Sequence, residues 1–133
     1  MPTPYRDREL APPQINPGDE PYFDAAAQGR LMIKRCAACG EHHFYPRPLC
    51  PFCFSERTEW MEAKGTGSIY TFSVSRRASP VPYAIAYVTL DEGVTMMTNI
   101  VDCDLDAIRI GQRVRVVFKP TAAGPPVPMF APV

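Results

Sequence analysis

After Lys64-Gly65-Thr66-Gly67 the chain settles into a two-residue rhythm. Tyr70, Phe72 and Val74 alternate with Thr71, Ser73 and Ser75, the pattern of a half-buried strand. Ser79-Pro80-Val81-Pro82 reads as a turn or loop, and Tyr83–Leu90 is apolar on both faces, as in a central strand. Asp91-Glu92-Gly93 makes a hairpin turn into a third strand, Val94–Val101. Asp102 to Gly111 carries a helical-turn pattern with Leu105, Ile108 and Ile110. Arg113 to Lys119 is a fourth strand with Val114, Val116 and Phe118 on one face. Short strands with one helical element before the last suit a small Greek-key barrel, of which the OB-fold is the common solution and an SH3-like barrel the alternative.

The first half has a different rhythm. Tyr22, Phe23, Ala26 and Leu31 follow helical spacing, with Asp19, Glu20 and Pro21 at the start and Gly29 as a stop, so a short helix is expected at about 19–29. A strand Leu31–Arg35 then leads into Cys36-Ala37-Ala38-Cys39-Gly40, which Cys50-Pro51-Phe52-Cys53 mirrors after ten intervening residues. Two such knuckles, folded face to face, present four thiolates to one point, the tetrahedral arrangement that suits zinc. Iron in a rubredoxin-type site accepts the same four thiolates. The expected metal ligands are Cys36, Cys39, Cys50 and Cys53. A four-cysteine site is closed to water and substrate, so its role is structural: it staples a segment too small to build a core. His42 and His43 are expected as exposed loop residues, with a fifth-ligand role as the sharper alternative. Cys103 is expected to be a buried or edge-strand thiol, and Trp60, the single tryptophan, to pack the seam between ribbon and barrel.

Composition narrows the classes. Hydrophobic residues at 46% and charged residues at 21% are those of a globular protein. The 16 prolines among 133 residues exclude a long helical bundle, because interior prolines break helices. Five lie in residues 1–17 and five from Pro120 onward, which reads as extended arms flanking the core: the first lies on this domain or a partner, the second adds an edge strand or covers a partner, and pre-extended arms favour a partner for both. No apolar run reaches the ~18 residues of a membrane span, and the charged start MPTPYRDREL lacks a signal-peptide core, so a cytoplasmic protein without a membrane partner is expected. Zero net charge disfavours nucleic acid, whose binders carry an excess of lysine and arginine.

No catalytic constellation appears: there is no nucleophile elbow, P-loop, dinucleotide fingerprint or HExxH motif. Asp102, Asp104 and Asp106 lack the glycine and glutamate of a calcium loop and read as solvated turn acids. From Lys64 to Pro120 there are seven basic and five acidic residues. Arg76, Arg77, Arg113, Arg115 and Lys119 are candidates for a surface facing the phosphates of coenzyme A or of a single nucleic-acid strand, against the plainer reading of a solvated barrel face.

The order of parts resembles one family. Gly29-Arg30-Leu31 ending the helix, the two knuckles, and Tyr45-Pro46-Arg47 between them occur together. So do the barrel opening Gly65 to Phe72, Leu90-Asp91-Glu92-Gly93 and Ile110-Gly111-Gln112-Arg113-Val114. The combination, over about residues 20–120, is similar to the zinc-ribbon plus OB-fold acyl-CoA-associated proteins, long catalogued as a domain of unknown function. The resemblance implies a mainly β fold with an arm and helix (1–33), a rubredoxin-like zinc ribbon (34–60), an OB-fold barrel (61–120) and a proline-rich tail (121–133). It also implies a non-catalytic accessory subunit of a thiolase-like protein (a thiolase, acyltransferase or retro-aldolase) acting on acyl-CoA or related ketone and thioester substrates, in a hetero-oligomer and with zinc at the four cysteines. The rival is a single-strand-binding OB-fold with Tyr70, Phe72, Tyr83 and Tyr87 as stacking platforms. Electron transfer by an iron-loaded ribbon is the third possibility.

Overall fold

The acidic start and Pro21 set the first turn of α1, Glu20–Ala26, whose Tyr22, Phe23, Ala25 and Ala26 are buried. The computed structural model describes residues 2–77 and 80–133. The helix is shorter than its periodicity suggested, but its stop is the expected one. Gly29 turns left-handed (φ 77°), its N–H donates to the Ala26 carbonyl and that of Arg30 donates to Ala25, closing a Schellman cap.

Three strands make the ribbon: β1 (Met32–Cys36), β2 (His42–His43) and β3 (Thr58–Glu62), antiparallel in the order β2-β1-β3. Trp60 is half-buried opposite Lys34, whose ammonium lies 4.7 Å from the indole centroid, and it packs against the main core. His42 and His43 are therefore strand residues, and His43, at 4% exposure, is buried. The expectation of two exposed loop histidines fails because pairing with Lys34 draws His43 under the sheet.

The second half is a closed barrel of β4 (Thr66–Ser75), β5 (Tyr83–Leu90), β6 (Thr95–Ile100), β7 (Arg113–Thr121) and β8 (Gly124–Pro132), in the order β4-β5-β6-β8-β7 with β7 returning to β4. A bulge between Ile69 and Thr71 leaves Tyr70 67% exposed. Gly67 sits on the strand crossing where an added Cβ would strike the Thr89 carbonyl, so this position accepts no side chain. A 3₁₀ turn, Leu105–Ala107, precedes β7; Leu105 and Ile108 are buried, whereas Ile110 points out at 70% exposure. Ser79, within the expected turn, lies outside the described residues; Pro80 is exposed.

For each flank the structure selects the intramolecular alternative over the favoured partner, and the barrel's expected end at 120 is corrected. The tail expected beyond a barrel ending at 120 supplies β8, which pairs with β7 from Val114↔Pro132 to Thr121↔Gly124. Its prolines are tolerated because its other side carries almost no ladder: β6 and β8 meet through a single registered pair, Ile100↔Phe130. The N-terminal arm, of its two open surfaces, takes its own domain and straps the barrel. The Tyr5 N–H donates to Cys103 (2.8 Å), Leu105 to Thr3 (2.8 Å) and Ala122 to Leu10 (2.9 Å). Lys119 holds Asp7 at 3.2 Å and Asp102 at 2.7 Å. A proline-rich segment is already extended, so docking it intramolecularly loses little entropy.

One apolar cluster joins the three parts: Tyr22 and Phe23 from α1, Leu31 and Ile33 from the ribbon, and Ile69, Val88, Leu90, Ile100, Val114 and Phe130 from the barrel. The ribbon does not hang free; its inner face is roofed by helix and barrel.

Candidate metal centre and partner surfaces

The four sulfurs of Cys36, Cys39, Cys50 and Cys53 lie within 4.8 Å of one another. Cys36 Sγ is 3.6 Å from Cys53 Sγ, and Cys39 Sγ is 3.7 Å from Cys50 Sγ. A tetrahedron with bonds of about 2.3 Å has edges of about 3.8 Å, so the donor set fits a tetrahedral thiolate ion such as zinc. Cys36 and Cys50 are buried, while Cys39 and Cys53 form the open rim. Backbone amides aim at the sulfurs: Cys39 N–H at Cys36 (3.5 Å) and Phe52 N–H at Cys50 (3.4 Å). The Cys39 amide foremost, then that of Ala38, pulls the Cys36 thiol down to about 6, toward the thiolate that a metal requires. His42 and His43 are not in the cluster. His43 Nε2 accepts from the Arg47 amide (3.4 Å), and burial lowers the ring's pKa.

The knuckles are built alike. In the first, Gly40 N–H donates to the Cys36 carbonyl and Cys36 N–H to Glu41; in the second, Phe54 N–H donates to the Cys50 carbonyl and Cys50 N–H to Ser55. Gly40 and Phe54 are thus equivalent, and both are left-handed, at φ 81° and 65°. Glycine adopts that conformation without strain; a residue with a Cβ does not. Phe54 is nevertheless 76% exposed, and its sequence neighbours Phe52 (62%) and Leu49 (47%) are exposed as well. Phe54 is not among the residues singled out from sequence; the signal is there, an aromatic residue where the first knuckle has glycine.

Tyr45-Pro46-Arg47 joins ribbon to helix. The Tyr45 hydroxyl donates to Asp19 (3.1 Å), and burial, together with that carboxylate, raises the phenol to about 12. Its ring packs edge-on to Tyr22 and Phe44.

The five basic candidates do not form one open cationic face. Arg113 binds Asp91 through both guanidinium nitrogens (2.9 and 3.0 Å), Arg76 pairs with Asp106, and Lys119 is held between Asp7 and Asp102. Among the described residues, Arg77 and Arg115 carry no ion pair. The three turn aspartates are accordingly structural partners of Lys119, Thr3 and Arg76. Tyr70 and Tyr87 are exposed, but Tyr83 lies under the Arg8 guanidinium, 5.0 Å from its ring centroid. No helix of the described residues is long and apolar enough to cross a membrane.

Residues 23–59 match the rubredoxin-like zinc ribbon domain of ChsH2, and residues 60–119 match its C-terminal OB-fold domain. A probable enoyl-CoA hydratase alpha subunit of Thermomonospora curvata is 37% identical over 98% of this chain, which spans 42% of that relative's length. A DUF35 domain-containing scaffold protein of Methanocaldococcus jannaschii is 39% identical over 67% of either chain. Among solved structures, a chain of the Ltp2-ChsH2(DUF35) aldolase superposes with a TM-score of 0.78 at 38% identity, covering 90% of this chain and 98% of that one. With both matched domains in order and near relatives along nearly its whole length, the chain belongs to the ChsH2 family, a zinc ribbon followed by an OB-fold.

Proposed function

We propose that this chain is a non-catalytic accessory subunit that assembles with a thiolase-like protein acting on acyl-CoA or a related ketone or thioester, in the cytoplasm. The solved relative is a chain of the Ltp2-ChsH2(DUF35) aldolase, and other relatives are named as a scaffold and as an enzyme subunit. Zinc is the metal assigned to Cys36, Cys39, Cys50 and Cys53, where it supplies a closed structural crosslink and no open coordination position. The chain's own residues do the rest: α1 and Tyr45 fix the ribbon on the barrel, and the second knuckle is presented outward.

The observation that carries this reading is Phe54. The left-handed backbone of Phe54 serves the knuckle turn, but a glycine there would serve it without strain, and the phenyl ring, mostly exposed, recovers little inside the chain to offset the cost of carrying it. Aromatic side chains of that kind are typical anchors of protein interfaces. Of the five basic candidates, Arg77 and Arg115 are those left for a coenzyme A phosphate, since the other three are engaged internally; Arg115 pairs with Thr66 at the start of β4 and Arg77 follows its far end, so they serve as separate contacts and not as one phosphate clamp. The test is co-expression with the thiolase-like proteins of the same genome, followed by size-exclusion chromatography and acyl-CoA turnover. A stable hetero-oligomer whose activity needs this subunit is expected; a monodisperse chain that ignores every such protein refutes the proposal.

A further inference from the structure

The four sulfurs of the metal centre share one chemistry and differ in access. Cys36 and Cys50 are 0% exposed, whereas Cys39 and Cys53 lie at the surface. Main-chain hydrogen bonds divide them in the same way. Cys36 accepts from the N–H groups of Ala38 and Cys39, and Cys50 from those of Phe52 and Cys53. Cys39 accepts from that of Glu41 and Cys53 from that of Ser55, one apiece. A donated N–H stabilises a thiolate and lowers its nucleophilicity, so the two rim sulfurs are both the reachable and the more reactive ones.

The rim is not symmetric. The chain neighbours of Cys39 are Ala38 and Gly40, which carry at most a methyl group, whereas those of Cys53 are Phe52 and Phe54. A small solute therefore meets less hindrance at the first knuckle. That knuckle also has a cation beside it. Arg35 Nη2 lies 3.6 Å from the point that a Cβ on Gly40 would occupy, and its register neighbour Glu59 closes no ion pair with it among the described residues. An exposed thiolate in an electropositive corner is the environment of a reactive cysteine, unlike a buried structural one. Cys50, on the other knuckle and 3.7 Å from Cys39, supplies a second thiolate within reach. Cys103 lies outside the cluster.

We propose that Cys39 is a peroxide-reactive thiolate, with Arg35 as its assisting cation and Cys50 as its resolving partner, so that hydrogen peroxide closes a disulfide across the knuckles and expels the metal. Cys39 Sγ attacks one peroxide oxygen and the O–O bond breaks. The departing hydroxide, whose charge the guanidinium offsets, takes a solvent proton and leaves as water. The sulfur, oxidised by two electrons, is then a sulfenic acid. Cys50 Sγ attacks that sulfur, the S–S bond forms, and a second hydroxide takes a second proton and leaves as water. One peroxide thus consumes two thiolates and two protons and yields one disulfide and two waters. Cys36 and Cys53 remain, half of the set that a closed tetrahedral site needs, so zinc departs and the ribbon loses its staple. This site rests on zinc at the four cysteines and on nothing about the partner.

The experiment treats the zinc-loaded full chain with hydrogen peroxide and reads zinc release with a chelating dye, sulfenic acid by dimedone trapping, and crosslinks by non-reducing peptide mass spectrometry. The expected result is one zinc lost per chain in step with a Cys39–Cys50 disulfide, and a dimedone adduct on Cys39 at least fivefold above that on any other cysteine. Dithiothreitol with added zinc should restore the metal. Arg35→Gln, at an exposed strand position, should hold one zinc before oxidation and release it at least threefold more slowly, while Arg35→Lys stays within twofold of wild type. Cys103→Ser should change neither rate nor crosslink. Zinc retained under conditions that consume glutathione overturns the inference. So does a first adduct on Cys36, Cys50 or Cys53, or a crosslink of Cys36 to Cys39 in place of the expected one. Arg35→Gln releasing zinc at the wild-type rate, or misfolding where Arg35→Lys also fails to rescue, overturns the part given to Arg35. A freshly purified chain without bound zinc overturns the metal assignment and this site together, and leaves the partner reading standing.

Discussion

Replacing Phe54 by glycine separates the needs of the fold from those of the partner. A left-handed residue with a Cβ costs roughly 1–2 kcal/mol, which glycine relieves, while glycine's extra freedom in the unfolded chain opposes it by about 0.5–1 kcal/mol. The side chain is 76% exposed, so its loss forfeits only about a quarter of the ~1.5–3 kcal/mol of a buried aromatic. The net change in the free, zinc-loaded chain is therefore near zero, within about 1 kcal/mol, and the melting temperature moves by no more than about 5 °C. Binding behaves differently. If a partner covers the exposed three quarters of the ring, the same coefficient assigns about 1–2 kcal/mol to that contact, roughly a 6- to 30-fold loss of affinity. The assay pairs thermal unfolding of the free chain with isothermal titration against the purified partner. Affinity unchanged within twofold, or a melting temperature lowered by 10 °C or more, refutes the reasoning: the first shows that nothing docks on Phe54, the second that the ring is part of the fold.

Three further outcomes follow from named contacts. Cys36→Ser removes a buried ligand and is expected to abolish stoichiometric zinc and unfold the ribbon, as read by metal analysis and near-ultraviolet circular dichroism, because metal binding and folding are coupled there. Gly67→Ala drives a methyl into the Thr89 carbonyl on a strand crossing that cannot retreat, and is expected to cost about 2–3 kcal/mol in urea denaturation. Asp91 is held down to about 2, foremost by its hydrogen bonds from Arg113 and then by Thr66, below its ordinary 3.8. Its contribution is therefore complete above pH 4 and lost as pH falls toward 2. Asp91→Asn should flatten the melting-temperature profile over that interval and leave it parallel to wild type above pH 5.

Local patterns carried much of this protein. Two CxxC knuckles bring four thiols together because each motif is a self-contained turn with its own amide–sulfur bonds, and the intervening loop is too short to carry them apart. Alternation from Tyr70 to Val74 and the apolar run Tyr83–Leu90 specify strands through the pleat alone, and the helix announces both its ends. What tertiary structure decided are the matters that depend on who pairs with whom. The proline-rich flanks each leave two destinations open in sequence, yet one is a strap and the other a barrel strand, because β8 is laddered along β7 and needs few hydrogen bonds on its other side. Basic residues on one strand face looked like a phosphate surface until Asp91, Asp7 and Asp102, distant in sequence, met Arg113 and Lys119. His43 is buried by its pairing with Lys34, and Phe54 acquires meaning only when the superposable hydrogen bonds of two knuckles set it against Gly40. Composition and spacing determine which elements form and which atoms a metal finds. Burial and ion pairing are properties of the assembled surface, and the chain acquires them only on folding.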